Sequence, residues 1–65
     1  MKKTQSLYDR LDIAEDRIIS YLEERDRFLI ESNDFQANIS LNNAARWSSI
    51  YTALLEIKKK REAEE

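Results

Sequence analysis

The sequence predicts an all-α fold: a two-helix hairpin of helix, extended linker and helix, with two copies assembling as a homodimeric four-helix bundle. Glycine and proline are absent from the 65 residues, which removes the residues that tight hairpin turns and phosphate-binding loops require. Two segments carry apolar residues at helical spacing, and an asparagine-rich segment separates them. We therefore expect one helical domain over residues 1–65, with helices at about 5–32 and 43–62 and a linker at about 33–42.

The first predicted helix has an apolar stripe whose members recur at steps of three and four residues. The stripe contains Leu7, Leu11, Ala14, Ile18, Tyr21, Leu22, Phe28 and Leu29. Thr4 or Ser6 can cap its start, and Ser6 followed by Asp9 approximates a capping box. Three further apolar residues widen the stripe on one flank: Tyr8, Ile19 and Ile30. The apolar surface is then too wide for a single neighbouring helix to cover.

The second predicted helix carries a heptad-like seam with steps of three and four residues. The seam consists of Trp47, Ile50, Leu54, Ile57 and Arg61. Ala44, Tyr51 and Leu55 line a second face of this helix, so it too needs more than one neighbour. The residues that we expect to form the core of the oligomer are Leu11, Ile18, Leu22, Leu29, Ile50, Leu54 and Ile57.

The segment between the helices carries two conflicting patterns. Its asparagines and serines favour turns and caps, and Asn38 or Ser40 could cap the second helix. Four apolar residues alternate strictly with polar ones, which is the period of a β-strand: Phe35, Ala37, Ile39 and Leu41. We expect an extended connector that closes the end of the bundle. The alternatives are a strand that pairs with another chain, or further helix, which would turn the hairpin into a longer, kinked or continuous rod.

The small size of the chain also favours pairing. Below about 70–80 residues a core is seldom sufficient alone, and small folds use disulfides, metals or oligomerisation. Cysteine and histidine are both absent, so disulfides and the usual zinc sites are excluded. A histidine base, a thiol nucleophile and a glycine loop are lacking as well, so we expect no enzyme, no catalytic residues, no metal and no cofactor.

Arg25 occupies the centre of the first apolar stripe, where a hydrophobic residue is expected. A buried guanidinium without a partner is heavily penalised, so this side chain must reach solvent, a carboxylate or a ligand. The simpler hypothesis is a structural ion pair with another helix or chain. The alternative is an arginine that binds an anion or a partner in a cavity of the bundle.

Trp47 is the only tryptophan, with Tyr51 on the same helix and Phe35 in the preceding segment. Aromatic residues at helical spacing are usually core residues. Tryptophan, tyrosine and arginine also dominate binding hot spots, and Arg46 adjoins Trp47. The candidate partner-binding residues are Arg25, Phe35, Arg46, Trp47 and Tyr51.

A basic run near the C-terminus could contact phosphates: Lys58, Lys59, Lys60 and Arg61. The simpler hypothesis is a solvated helix end, where the helix dipole favours cations and the glutamates that follow balance the charge. The net charge of −2 is far from the basic balance of a dedicated nucleic-acid binder. A nucleic-acid-associated regulator that uses this run with Lys2 and Lys3 is therefore an alternative function, and a purely structural oligomerisation segment is another.

The expected function is a small non-enzymatic protein–protein interaction module, acting as an adaptor, inhibitor or accessory regulator. We expect a homodimer that binds a protein partner of unknown identity, with no small-molecule substrate. No apolar run approaches the ~20 residues that a membrane span needs. Lys2 and Lys3 lead into charged sequence instead of the apolar core of a signal peptide, so the expected location is cytoplasmic.

Overall fold

The computed structural model describes residues 6–64, which form a helical hairpin. Helix α1 spans Leu7–Ile30 and helix α2 spans Asp34–Glu64, and the two helices are in contact along the hairpin. Residues 6–64 contain no strand. The prediction of an all-helical fold with two contacting helices is confirmed. In this part of the chain neither helix has the length and apolar character that crossing a bilayer demands.

Helix α1 begins where the sequence predicts a cap. Ser6 has an extended backbone, and its Oγ accepts a hydrogen bond from the backbone N–H of Asp9 at 3.1 Å. This bond satisfies one of the amide groups that the first turn leaves without an intrahelical acceptor. The carboxylate of Asp9 lies in the same turn, where the helix dipole favours negative charge. The other predicted cap, Thr4, lies outside the described residues, as do Lys2 and Lys3.

Helix α1 ends in a Schellman motif centred on Ser32. The backbone N–H of Asn33 donates to the carbonyl of Phe28 at 2.7 Å, and that of Ser32 donates to Leu29 at 3.0 Å. Ser32 has a φ angle of 60°, in the left-handed region that the motif requires. Glycine usually fills this position because it has no Cβ to clash, and this chain has no glycine. The reversal of the chain therefore depends on a strained serine.

The predicted extended linker at 33–42 is wrong, because α2 begins at Asp34. Asn33 caps the helix: its Oδ1 accepts a hydrogen bond from the backbone N–H of Gln36 at 3.3 Å, and its carbonyl accepts from Ala37 at 3.0 Å. The predicted caps Asn38 and Ser40 are also wrong. Both lie inside the helix, and Ser40 is 4% exposed against α1. The alternative of further helix is correct for this segment, but the rod expected with it is wrong, because the turn at 31–33 keeps the molecule a hairpin.

The inner face of the early part of α2 explains the error in the linker. The residues that α1 buries there are Ala37, Ser40 and Ala44, which follow helical steps of three and four. These small side chains let the two helix backbones approach closely. Phe35, Ile39 and Leu41 remain exposed. The strict alternation that resembled a strand therefore mixes buried and exposed positions of one helix.

The contact between the helices matches small residues with large ones. Both helices rise about 1.5 Å per residue in opposite directions, so a residue of α1 lies level with the residue of α2 equally far from the turn. Ala14, with 0% exposure, lies level with Tyr51, and Ala37 lies level with Phe28. At the open end Lys58 Nζ lies 5.7 Å from the ring centroid of Tyr8, in agreement with this register.

The hairpin has little core of its own. The buried apolar residues among those described are Leu11, Ala14, Ala37 and Ala44. No large side chain in residues 6–64 is fully buried. A compact domain normally packs two layers of secondary structure around a core, and this hairpin supplies one.

Candidate functional site

The hairpin has two open faces because each helix has a single neighbour. We call the first the groove face: a shallow, mostly apolar groove of about 370 Å³ crosses it between the helices. Helix α1 contributes Arg10 and Ile13 to the groove, and α2 contributes Trp47, Ile50 and Leu54. An apolar floor beside an arginine has the composition of a protein-binding hot spot.

The predicted seam of α2 forms one wall of this groove, and α1 covers only part of it. Trp47 and Leu54 are half-buried, whereas Ile50 and Ile57 remain 45% and 43% exposed. Ile39 lies eleven residues before Ile50, and therefore on the same side of α2, and it is exposed as well. The exposed half of the seam is the surface that a further helix could cover.

The second face, which we call the back face, is also apolar. Its exposed members are Tyr8, Ile19, Leu29, Ile30 and Leu41. At 100° per residue, Glu15 and Asp26 fall on the same side of α1 as Ile19, so carboxylates flank this apolar surface. Arg10 thus borders the groove between the helices, and carboxylates border the back face.

Arg25 lies on the inner side of α1, as its place in the apolar stripe predicts, with its side chain 34% exposed. Its Nη2 and Nε both contact Oδ1 of Asp26, at 2.8 and 3.2 Å. The partner is the adjacent residue of its own helix and not a carboxylate of α2. An exposed ion pair of this kind contributes about 0–1 kcal/mol. The charge of Arg25 is therefore paired within its own helix, and its side chain is partly exposed to solvent.

The other candidate partner-binding residues do not form one site. Trp47 lines the groove, and Tyr51 lies half-buried beside it on the inner face of α2. Arg46 is exposed next to Trp47. Phe35 lies at the start of α2, about 18 Å along the helix from Trp47, and is 73% exposed. Phe35 is therefore a separate apolar point near the turn.

The basic run does not form a single patch. Four consecutive helical residues spread over about 300° of the helix surface. Lys58 is half-buried beside Tyr8 of α1, and it lines a cavity of about 380 Å³ at the open end together with Arg61 and Glu62. Lys59 and Lys60 are exposed. The run therefore divides its four cations between different sides of α2 and does not present them together to one ligand.

The residues expected in the oligomer core occupy three environments. Leu11 is already buried by α2, with 8% exposure. Ile18, Leu22 and Leu54 are half-buried, and the exposed members are Leu29, Ile50 and Ile57. The sequence interpretation missed Arg10 and Ile13 of the groove, because both lie outside the apolar stripe of α1. Ile13 is three residues after Arg10 and on the same side of the helix, and that spacing was the available signal.

Comparisons with known proteins find no relative: no protein-family model, curated protein or solved structure matches the chain. Residues 6–64 also hold no group of three acidic side chains placed to bind a metal ion. The geometry of the two faces is therefore what indicates a function for this chain.

Proposed function

We propose that this chain is a non-enzymatic protein–protein interaction module that pairs with a second copy of itself as a four-helix bundle. In this proposal it acts in the cytoplasm as a small adaptor, inhibitor or accessory regulator. The bundle is its stable form, and a protein partner binds the surfaces that remain open after pairing.

One observation carries the proposal: in residues 6–64, ten large apolar side chains are more than a third exposed and no large side chain is fully buried. Monomeric proteins seldom leave extended apolar surface in water, and such surfaces usually mark interaction sites. Burying one large aliphatic side chain contributes about 1.5–3 kcal/mol, so covering several of them supplies the stability that a single hairpin lacks.

A second copy is the simplest occupant for one face. Homodimers with a two-fold axis are the commonest oligomers, and two helical hairpins stacked face to face make a four-helix bundle. Only one face can be covered in such a dimer. The other face, together with Phe35 near the turn, stays available for a protein partner.

The mass of the full chain in solution tests this proposal. Light scattering at micromolar concentration should give twice the 7.8 kDa of one chain. Trp47 supplies a second readout because it is the only tryptophan and lines the groove. Its fluorescence emission should shift to longer wavelength on dilution, as dissociation exposes the indole to water. A well-folded particle of 7.8 kDa at all concentrations would contradict the proposal.

A further inference from the structure

Four charged residues lie along one line at intervals of seven residues, three of them in α1 and the fourth at its C-cap. They are Arg10, Arg17, Glu24 and Glu31. An α-helix turns by only about 20° more or less than two full turns over seven residues, so the four share one side of α1. The two nearer the open end are basic, and the two nearer the turn are acidic. Arg10 lines the groove, which places the line on the groove face.

None of these four charges is neutralised within the hairpin. The only ion pair within 4.0 Å in residues 6–64 joins Arg25 to Asp26. Arg17 is exposed, and it borders a small cavity with Ile13, Asp16 and Ser20. Glu24 is half-buried on the same side of α1. The groove face therefore presents an unpaired basic half and an unpaired acidic half.

The geometry points to a second copy that lies antiparallel on the groove face, with Arg10 opposite Glu31 and Arg17 opposite Glu24 of the other chain. This inference rests on the proposed pairing and specifies its face and direction. A two-fold axis perpendicular to the helices, passing α1 between Ser20 and Tyr21, creates both pairs at once and repeats them by symmetry. The charges of one copy complement those of the other only in this direction.

The exposed apolar residues fit the same axis independently. In α1 the two-fold axis between Ser20 and Tyr21 brings Ile13 to the level of Phe28 of the second copy. In α2 the axis passes between Ala44 and Ala45, which brings Ile50 to the level of Ile39 of the second copy. Ile13, Ile39 and Ile50 are all exposed in the single hairpin. One register therefore satisfies the charges and covers apolar residues of both helices.

A parallel arrangement of the two copies loses these charge pairs. A two-fold axis parallel to the helices stacks α1 of each copy on α2 of the other, so the two charge lines lie diagonally across the bundle. The basic half of one copy then no longer faces the acidic half of the other. Rim ion pairs contribute little affinity but strongly select between orientations. We expect apolar burial to supply the affinity and the charge line to supply the direction.

Charge reversal of the full chain tests this inference by sedimentation of single variants and of their mixture. Arg17→Glu alone and Glu24→Arg alone each place two like-charged pairs in the antiparallel dimer. Each variant should therefore dimerise about tenfold or more weakly than the original chain. An equimolar mixture of the two should recover the original affinity, because each chain then supplies the charge that the other requires. The double variant R17E/E24R should recover it as well.

Glu23→Arg is the matched control, since it makes the same charge change one residue away and off the line. A mixture of Arg17→Glu with Glu23→Arg should show no recovery. Circular dichroism of each variant checks that the hairpin remains helical. Equal recovery of Arg17→Glu by the original chain and by Glu24→Arg would show that residue 17 does not face residue 24 of the other copy, and it would overturn the inference. Unchanged dimerisation in every variant would overturn it while leaving the proposed pairing intact. A monomeric original chain would overturn both.

Discussion

The two halves of α2 pack against α1 in opposite ways. Near the turn, the inner positions are small and buried: Ala37, Ser40 and Ala44. Beyond Ala44 the inner positions are large, and none of them is buried: Trp47, Tyr51, Leu54 and Leu55. Close backbone approach completes the contact in the first half. In the second half, large side chains project beyond what α1 can cover.

This difference indicates where the hairpin is self-sufficient and where it is not. Small residues need only one neighbour because the neighbouring backbone itself covers them. Large residues at the edge of a two-helix layer need a second layer. The turn half therefore holds the hairpin together, and the groove half is where we propose that a second copy binds. Substitutions in the two halves should accordingly affect different equilibria, folding in one case and association in the other.

The largest expected effect is loss of association after Ile50→Asp, in the groove half. Ile50 is partly exposed in the hairpin, and the proposed dimer would bury it where an unpaired carboxylate is heavily penalised. We expect the dimer to weaken by about a hundredfold or more, measured by analytical ultracentrifugation. Ser49→Asp is the control, because it adds the same charge at an exposed site about 100° away around the helix. Equal effects of the two substitutions would remove the groove from the interface.

Overpacking the turn half should instead destabilise the fold. Ala44 is 3% exposed, and Ala44→Leu forces a large side chain between the two helices. The expected loss is about 1–3 kcal/mol of unfolding free energy, measured by urea titration at fixed protein concentration. The same change at the exposed neighbour Ala45 should alter the unfolding free energy by less than about 0.5 kcal/mol. Similar losses at both positions would mean that Ala44 is not a contact residue.

Substitution of the cap residue tests whether α2 begins at Asp34, as observed, or at about residue 43, as the sequence predicts. Asn33→Ala removes the Oδ1 acceptor of the Gln36 N–H and should lower the unfolding free energy by about 1 kcal/mol. Asn38→Ala should leave it unchanged or raise it by a few tenths of a kcal/mol, because alanine is the better helix former inside a helix. If Asn38→Ala were the more harmful change, α2 would begin later than Asp34.

The sequence predicts α1 well because its signals agree with one another. The apolar stripe, the serine cap and the turn residues after Ile30 all indicate the same limits, and the observed bounds differ from the predicted ones by two residues at each end. In the early part of α2 the signals conflict. Asparagines and an alternating apolar pattern argue against helix, while the buried positions Ala37, Ser40 and Ala44 carry little hydrophobic signal. Tertiary contact decides that segment, and a single sequence does not display it.

Only one wall of the candidate site could be predicted from the sequence. Trp47, Ile50 and Leu54 are members of the seam that the sequence identifies, and they form one wall of the groove. The opposite wall, Arg10 and Ile13, belongs to the side of α1 that looked solvated. Which side of α1 borders the groove depends on the register of the hairpin, and that register is set by the turn at Ser32.

The smallest expected effect concerns this turn. Ser32→Gly relieves the strain of the positive φ angle and should raise the unfolding free energy by about 0.5–1 kcal/mol. Ser49→Gly, inside α2, should lower it by about 0.5 kcal/mol, since glycine is the poorer helix former. Thermal unfolding of the two variants should therefore shift in opposite directions. Destabilisation by both substitutions would argue against a left-handed residue at the turn.

The dependence of thermal unfolding on protein concentration tests most directly whether a second copy covers the groove half. Binding that occurs only in the folded state raises the unfolding temperature by mass action. We predict that the midpoint, followed by far-ultraviolet circular dichroism, rises steadily as the chain is concentrated, and that Ile50→Asp abolishes this rise. A midpoint that stays constant over a hundredfold range of concentration, with full helix content, would contradict the account.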